Sequence, residues 1–239
     1  MKKIIHKAED RGYADHGWLK ARHSFSFAAY FNREKMNFGL LRVLNDDIVE
    51  PGEGFGEHPH DNMEIVTIPL EGELEHKDST GTSGVIRVND IQIMSAGSGV
   101  YHSEFNHSDK KLINLLQTWV FPKEQNITPR YDQITLDPGK RKNKIHTFVS
   151  PEKGKDKLWI NQDAYFSLCD LDKSNSATYK IQEEGNGVYI FLIEGKIAVE
   201  DETLSRRDAI GIWETSEIII SAEENSKVLF IEVPMDRKK

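Results

Sequence analysis

Val66-Thr-Ile-Pro-Leu-Glu-Gly72, running on into Glu73-Leu-Glu-His76, is written a second time as Ile190-Phe-Leu-Ile-Glu-Gly195, running on into Lys196-Ile-Ala-Val199. Each copy is an apolar run, a glycine and a second run in which apolar residues alternate with others. That is the pattern of a strand, a sharp corner and another strand. Working outward, Asp90-Ile-Gln-Ile-Met94 after the first copy matches Asp208-Ala-Ile-Gly-Ile212 after the second. Each half then closes on a strand that runs into proline, Leu115-Leu-Gln-Thr-Trp-Val-Phe-Pro122 and Val228-Leu-Phe-Ile-Glu-Val-Pro234. The order of landmarks holds while the loops shorten, so the chain reads as two copies of one β unit. The expected join lies between Arg130 and Lys144, where Pro138-Gly139 and a basic run interrupt the pattern, giving units of residues 1–133 and 134–239.

The remaining segments agree. Strands are expected at Phe38–Leu44, Gly84–Val88, Ile145–Val149 and Glu217–Ala222, among others, with turns at Asn45-Asp46-Asp47, Pro51-Gly52-Glu53-Gly54 and Gly185-Asn186-Gly187. No window sustains a helical period, so the fold class is all-β, a sandwich or barrel architecture. The 239 residues are 38% hydrophobic and 29% charged, which excludes collagen-like and disordered chains. The longest apolar runs fall far short of the ~20 residues a membrane helix needs. A formal charge of −8 argues against direct nucleic-acid binding, and Arg130, Lys140-Arg141-Lys142 and Lys144 read as a solvated loop. The N-terminus is charged with no apolar stretch behind it, so no signal peptide is expected. A single cysteine, Cys169, rules out an internal disulfide and a cysteine-based zinc site, and cytoplasmic placement is expected.

Chemistry concentrates in the first half. His58-Pro59-His60 follows a glycine-rich turn, Glu64 lies four residues on, and His102-Ser103-Glu104 comes later. Alternate side chains of a strand share a face, so His58 and His60 project together, as do His102 and Glu104. If those strands are neighbours, three imidazoles and a carboxylate converge inside a barrel. A nitrogen- and oxygen-donor set without sulfur suits Fe, Mn, Ni, Co, Cu or Zn, and Glu64 and Glu104 compete for the carboxylate position. Gln117 is polar within an apolar strand and faces either the interior or solvent. His23, Phe25, Phe27 and Phe55 are candidates for pocket walls or core, whereas His76, His107 and His146 lack paired neighbours and are expected to be exposed. No histidine follows His146, so the second unit is expected to hold no metal.

Gly52 through His58-Pro59-His60 to Glu64 and Gly72 resembles the first cupin motif, with one residue more than usual between Glu64 and Gly72. Gly97-Ser98-Gly99-Val100-Tyr101-His102-Ser103-Glu104-Phe105-Asn106 resembles the second, with Gly97 where proline is common. His16-Gly17-Trp18-Leu19, His23-Ser24-Phe25-Ser26-Phe27, Gly56-Glu57-His58-Pro59-His60, Met63-Glu64, Gln92-Ile93-Met94-Ser95-Ala96-Gly97 and Thr128-Pro129-Arg130-Tyr131 are similar to the pirin family, a bicupin group with quercetinase members. The resemblance implies two tandem cupin barrels of the jelly-roll type. It implies His58, His60, His102 and Glu104 as ligands of one divalent transition metal, Fe(II) first, with Mn, Ni, Co, Cu or Zn as alternatives. Glu64 then stands behind the ligands. The implied activity is a dioxygenase that opens a flavonol heterocycle with O2 and releases CO, with Glu104 as proton acceptor. A redox-sensitive regulatory protein acting through protein partners is the alternative that the family offers.

Overall fold

The computed structural model describes residues 1–236 of the chain. Each half is a seven-stranded sheet facing a four-stranded sheet. In the first half the large sheet orders its strands Arg130–Thr135, Asp90–Ser95, Glu64–Glu71, Ile113–Val120, Leu41–Val49, Leu19–His23 and Gly12–Asp15. The small sheet orders Gly54–His60, Val100–Asn106, Glu73–Asp78 and Ser83–Arg87. The second half repeats this with Ala209–Trp213, Asn186–Glu194, Ser226–Pro234 and Tyr165–Leu171 at the centre of its large sheet. Its small sheet is Ser176–Lys180, Glu217–Ala222, Lys196–Val199 and Glu202–Ser205.

The repeated glycines explain how each strand leaves one sheet for the other. Gly72 and Gly195 have φ of 77° and 93°, in the left-handed region that favours glycine. At Gly72 the chain turns from Glu64–Glu71 in the large sheet to Glu73–Asp78 in the small one, and Gly195 turns Asn186–Glu194 into Lys196–Val199 in the same way. The repeat read from the sequence is therefore a repeated corner.

Between the halves lies a shared core. Val66, Ile68, Leu116 and Leu44 of the first large sheet pack with Phe148, Phe166, Phe191 and Leu229 of the second. The opposite faces of those strands look into their own barrels. Two pairings cross or overrun the expected join: Lys2–His6 adds to the second half by pairing antiparallel with Ala209–Trp213, and Arg130–Thr135 pairs with Asp90–Ser95 of the first.

Some local expectations are corrected. Asn45, Asp46 and Asp47 are not a turn but lie inside the strand Leu41–Val49. Side-chain partners allow two of them to be buried there, Asn45 beside His23 and Asp46 in contact with Arg11, Arg207 and Asn114. In the basic run, Arg141 is buried rather than solvated and bonds Asp170 and Asn89. No helix is long and apolar enough to cross a membrane among the described residues.

Candidate metal centre

The small sheet of the first barrel brings His58, His60 and His102 together and groups Glu104 with His102 and His76. Val100–Asn106 runs between Gly54–His60 and Glu73–Asp78, with His102 opposite His58 on one side and Glu104 opposite His76 on the other. A bulge separates the His102–His58 pair from the Glu104–Phe55 pair, and a bulge re-aims the side chains on either side of it. Glycine is required at Gly54, where a Cβ would collide with the Glu104 carbonyl and the Phe105 backbone.

Among the described residues two clusters result, each with its ligand atoms within 4.8 Å of one another. One is His58, His60 and His102; the other is His76, His102 and Glu104. His102 belongs to both. The ring centroids of His58 and His102 are 4.4 Å apart, those of His60 and His102 4.8 Å. Nδ1 of His58 lies 2.7 Å from the Gly56 carbonyl, which accepts its proton and leaves Nε2 as the free lone pair. Nε2 of His102 and Oε1 of Glu104 are buried without a hydrogen-bond partner. Unpaired buried acceptors are rare and costly, so imidazole nitrogens and a carboxylate oxygen aimed into one interior are a donor set that fits a divalent transition metal.

Electrostatics support the same state. Burial lowers the His60 imidazole to about 4, helped by nearby His58. His102 is lowered by burial and by His58, His60 and His76 around it. The rings are thus neutral, with lone pairs available, at neutral pH. Burial raises the Glu104 carboxyl, opposed by the hydrogen bond from Gln117 and by His76 and His58. Gln117 faces the interior: its Nε2 donates to Glu104 Oε2 at 2.9 Å, and the Trp119 indole donates to its Oε1 at 3.1 Å. The indole fixes which way the amide points, and so holds one oxygen of Glu104.

The other expected residues divide. His23, Phe27 and Phe55 line a cavity of about 550 Å³ together with Trp18, Tyr13 and Tyr30. None of the clustered histidines lines this cavity, which approaches them through ring contacts: Phe55 lies 6.4 Å from His58, and Trp119 lies 5.3 Å from Phe27 and 4.9 Å from His60. His23 is held by Asn45 at 2.8 Å. Phe25 is not a pocket wall; it is buried against Tyr189 and His6 in the core between the barrels. Glu64 lies in neither cluster. Its Oε2 accepts from the Ser95 hydroxyl and from the Asn161 amide of the second half, tying the barrels together, and burial raises its carboxyl to about 7.

Two participants escape the sequence reading. Trp119 lay unremarked in its strand, and His76 is fully buried rather than exposed. In Glu73–Asp78, Leu74, His76 and Asp78 are buried while Glu75 and Lys77 are exposed, a strict alternation that was the available signal. His76 Nε2 lies 3.0 Å from Asp78 Oδ2. Burial would raise the Asp78 carboxyl, but hydrogen bonds from Thr80, His76 and Thr82 outweigh it and hold it below the ordinary range. His107 is exposed and His146 half-buried. Cys169 is buried, and burial raises its thiol to about 11.

Comparison with known proteins supplies the family context. Residues 5–120 match the family model described as Pirin, and residues 147–233 match one described as Quercetinase C-terminal cupin domain. An Escherichia coli protein named quercetin 2,3-dioxygenase is 40% identical over 230 residues, covering 96% of this chain and 98% of that one. A Zymomonas mobilis protein named as a putative quercetin 2,3-dioxygenase is 41% identical, covering 92% and 93%. The crystal structure of the bacterial pirin YhhW from Escherichia coli in complex with nickel(II) superposes with a TM-score of 0.92 at 37% identity, covering 98% of this chain and 99% of that one.

Proposed function

The chain belongs to the pirin family and has its two-cupin fold, and from that premise we propose that it is a metal-dependent dioxygenase acting on a flavonol-like aromatic substrate. The observation that carries the reading is the unpaired Nε2 of His102 and Oε1 of Glu104, buried in a barrel interior where His102 clusters with His58 and His60 on one side and with His76 and Glu104 on the other. His58, His60, His102 and Glu104 would hold one divalent transition metal, Fe(II) first among the redox-active choices. When bound, such an ion supplies a Lewis acid that lowers the pKa of a substrate hydroxyl and a template that sets substrate beside O2.

The protein's own groups do the rest. Phe27, Phe55, Trp18 and Tyr30 would offer ring faces and edges to a flat aromatic substrate. Glu104 would accept the flavonol hydroxyl proton, and Gln117 holds its Oε2 in place. A carboxylate whose pKa is raised by burial is a stronger base than one in water. Overall, O2 adds both its atoms as the heterocycle opens, and one ring carbon leaves as CO. The lone, buried cysteine accords with a reducing cytoplasm.

Protein loaded with Fe(II) is expected to consume O2 and bleach flavonol absorbance near neutral pH. Glu104→Gln keeps the size and loses the base, and turnover should fall by about 10²–10⁴-fold. Wild-type turnover in that variant refutes the proton role. No turnover with any redox metal overturns the enzyme reading and leaves the regulatory one, for which a partner pulled down in an iron-oxidation-dependent manner is the corresponding observation.

A further inference from the structure

Directly behind the candidate ligands lies a line of buried groups with no role in the proposed chemistry. It starts at the turn after Glu73–Asp78. Asp78 Oδ1 accepts three hydrogen bonds, from the Thr80 amide at 2.9 Å, the Thr80 hydroxyl at 2.6 Å and the Thr82 amide at 3.1 Å. That oxygen is saturated and its position fixed. The other, Oδ2, is turned inward to His76 Nε2 at 3.0 Å. On the far side of the His76 ring, Nδ1 lies 3.5 Å from Nδ1 of His102. Both imidazoles and the Asp78 carboxylate are almost wholly buried, so water does not compete for these contacts.

Hydrogen-bond bookkeeping then gives each proton a place. An ionised carboxylate only accepts, so His76 Nε2 must carry a proton. In neutral His76 this leaves Nδ1 as a lone pair, and the one ring atom facing it, Nδ1 of His102, must be the donor. His102 with its proton on Nδ1 has its lone pair on Nε2, the atom that is buried and unpaired. The direction of every bond is thus set from the threonine turn inward.

We propose that Asp78 and His76 are positioning residues that lock His102 in the tautomer and ring orientation that present Nε2 to the metal. This rests on the metal-binding reading above and extends it to residues outside the four ligands. Outer partners of a ligating imidazole are worth about 10–100-fold in metal affinity, because they remove the wrong tautomer and the rotation of the ring.

Two measurements test the relay. In the apoprotein labelled with ¹⁵N-histidine, two-bond ¹H–¹⁵N correlations read the tautomers directly. His102 is expected to carry its proton on Nδ1 and His76 on Nε2; a proton on Nε2 of His102 overturns the proposal. In the second, Co(II) is titrated against a chelator, with its visible spectrum as the geometric readout. His76→Leu, which fills the space but accepts nothing, should weaken Co(II) by about 10–100-fold. His76→Gln, whose side-chain carbonyl can accept the His102 proton, should bring affinity back to within a few-fold of wild type. Wild-type affinity in His76→Leu, or equal loss in both variants, overturns the relay. Failure of the wild-type chain to bind Co(II) sinks the metal reading instead, and the tautomer spectrum still decides the relay. Should His76→Leu fail to fold, the wild-type spectrum and His76→Gln carry the decision.

Discussion

Where the first barrel places His102 and Glu104 on the strand Val100–Asn106, the second places Ile218 and Ile220 on Glu217–Ala222. The equivalence follows from register: Leu74 pairs with Asn106 two residues after Gly72, and Ile197 pairs with Ala222 two residues after Gly195. By the same ladders His58, opposite His102, corresponds to Tyr179, opposite Ile218. Gln117, opposite Thr67, corresponds to Phe230, opposite Ile190, and His76 to Val199. Tyr179, Val199, Ile218, Ile220 and Phe230 all belong to the hydrophobic core of the second barrel, where Tyr179 and Phe230 stack at 4.9 Å. In the first barrel the apolar side chains are split into two groups, one around Leu74, Ile86 and Leu115, the other around Ile65, Met94 and Val100. The polar belt fills the space between. One scaffold therefore carries two interiors: one filled with hydrocarbon, which supplies stability, and one lined with imidazoles and carboxylates, which gives up part of that contribution for the donor set of the proposed metal site.

The severest way to break this contrast is to write the second barrel's residues into the first. His102→Ile with Glu104→Ile is expected to abolish transition-metal uptake, measured by elemental analysis, and flavonol turnover with it. Thermal stability of the metal-free chain should change little at the same time. Two unpaired buried atoms, His102 Nε2 and Glu104 Oε1, are removed, but Gln117 Nε2 and His76 Nδ1 lose the partners they had, and at about 1–3 kcal/mol per atom the two effects oppose each other. If the double variant retained metal, the assignment of these ligands would be wrong.

The reverse exchange is smaller in reach. Ile220→Glu puts a carboxyl among Val199, Ile218 and Phe230, with no imidazole beside it. Burying an unpartnered carboxyl and losing the packing of an isoleucine is expected to destabilise by about 3–5 kcal/mol, read as a lowered denaturant midpoint. Metal content per chain should not increase. A rise would show that the second interior has hidden ligands.

How much of this contrast could be read in advance depends on whether the deciding contact is local. The corners at Gly72 and Gly195 are local, because a left-handed backbone selects glycine whatever surrounds it, and the repeat was legible from them. Face-sharing within His58-Pro59-His60 and His102-Ser103-Glu104 is equally local. His76 is in phase with Leu74 and so shares its face, but the depth of its burial is set by Val100–Asn106 lying alongside it, a pairing across the sheet. Asn45-Asp46-Asp47 looks like a turn by composition, yet Arg11 and Arg207 arrive from distant segments to satisfy Asp46 inside a strand. Phe25 has the same cause: Tyr189, its partner, comes from the other barrel.

A finer test compares the one deeply buried glutamate that each barrel keeps on its large sheet. Glu232 is surrounded by donors: the Tyr179 hydroxyl, the Gln182 and Glu183 amides and the Asn186 side chain. Glu64 has only Ser95 and Asn161, and its Oε1 is unpaired. With a folded pKa of about 7 against an ordinary value of 4.5, Glu64 holds its proton in the native state over a range where the unfolded chain releases it. Stability changes with pH as the protons bound in the unfolded state less those bound in the native state, a negative quantity here, so this group lowers stability as pH rises through that window. Glu64→Gln has no proton to lose, and its carbonyl still accepts from Ser95 and Asn161. The difference in unfolding free energy between variant and wild type should therefore grow in favour of glutamine from pH 4.5 to 7 and then level off, at about 3 kcal/mol. Glu232→Gln should destabilise instead, since an amide placed among four donors turns its own N–H groups against at least one of them. Denaturant titrations of both variants at several pH values decide the matter. Parallel behaviour would mean that the two carboxylates are solvated alike, and that the barrels differ in their interiors but not in the groups that frame them.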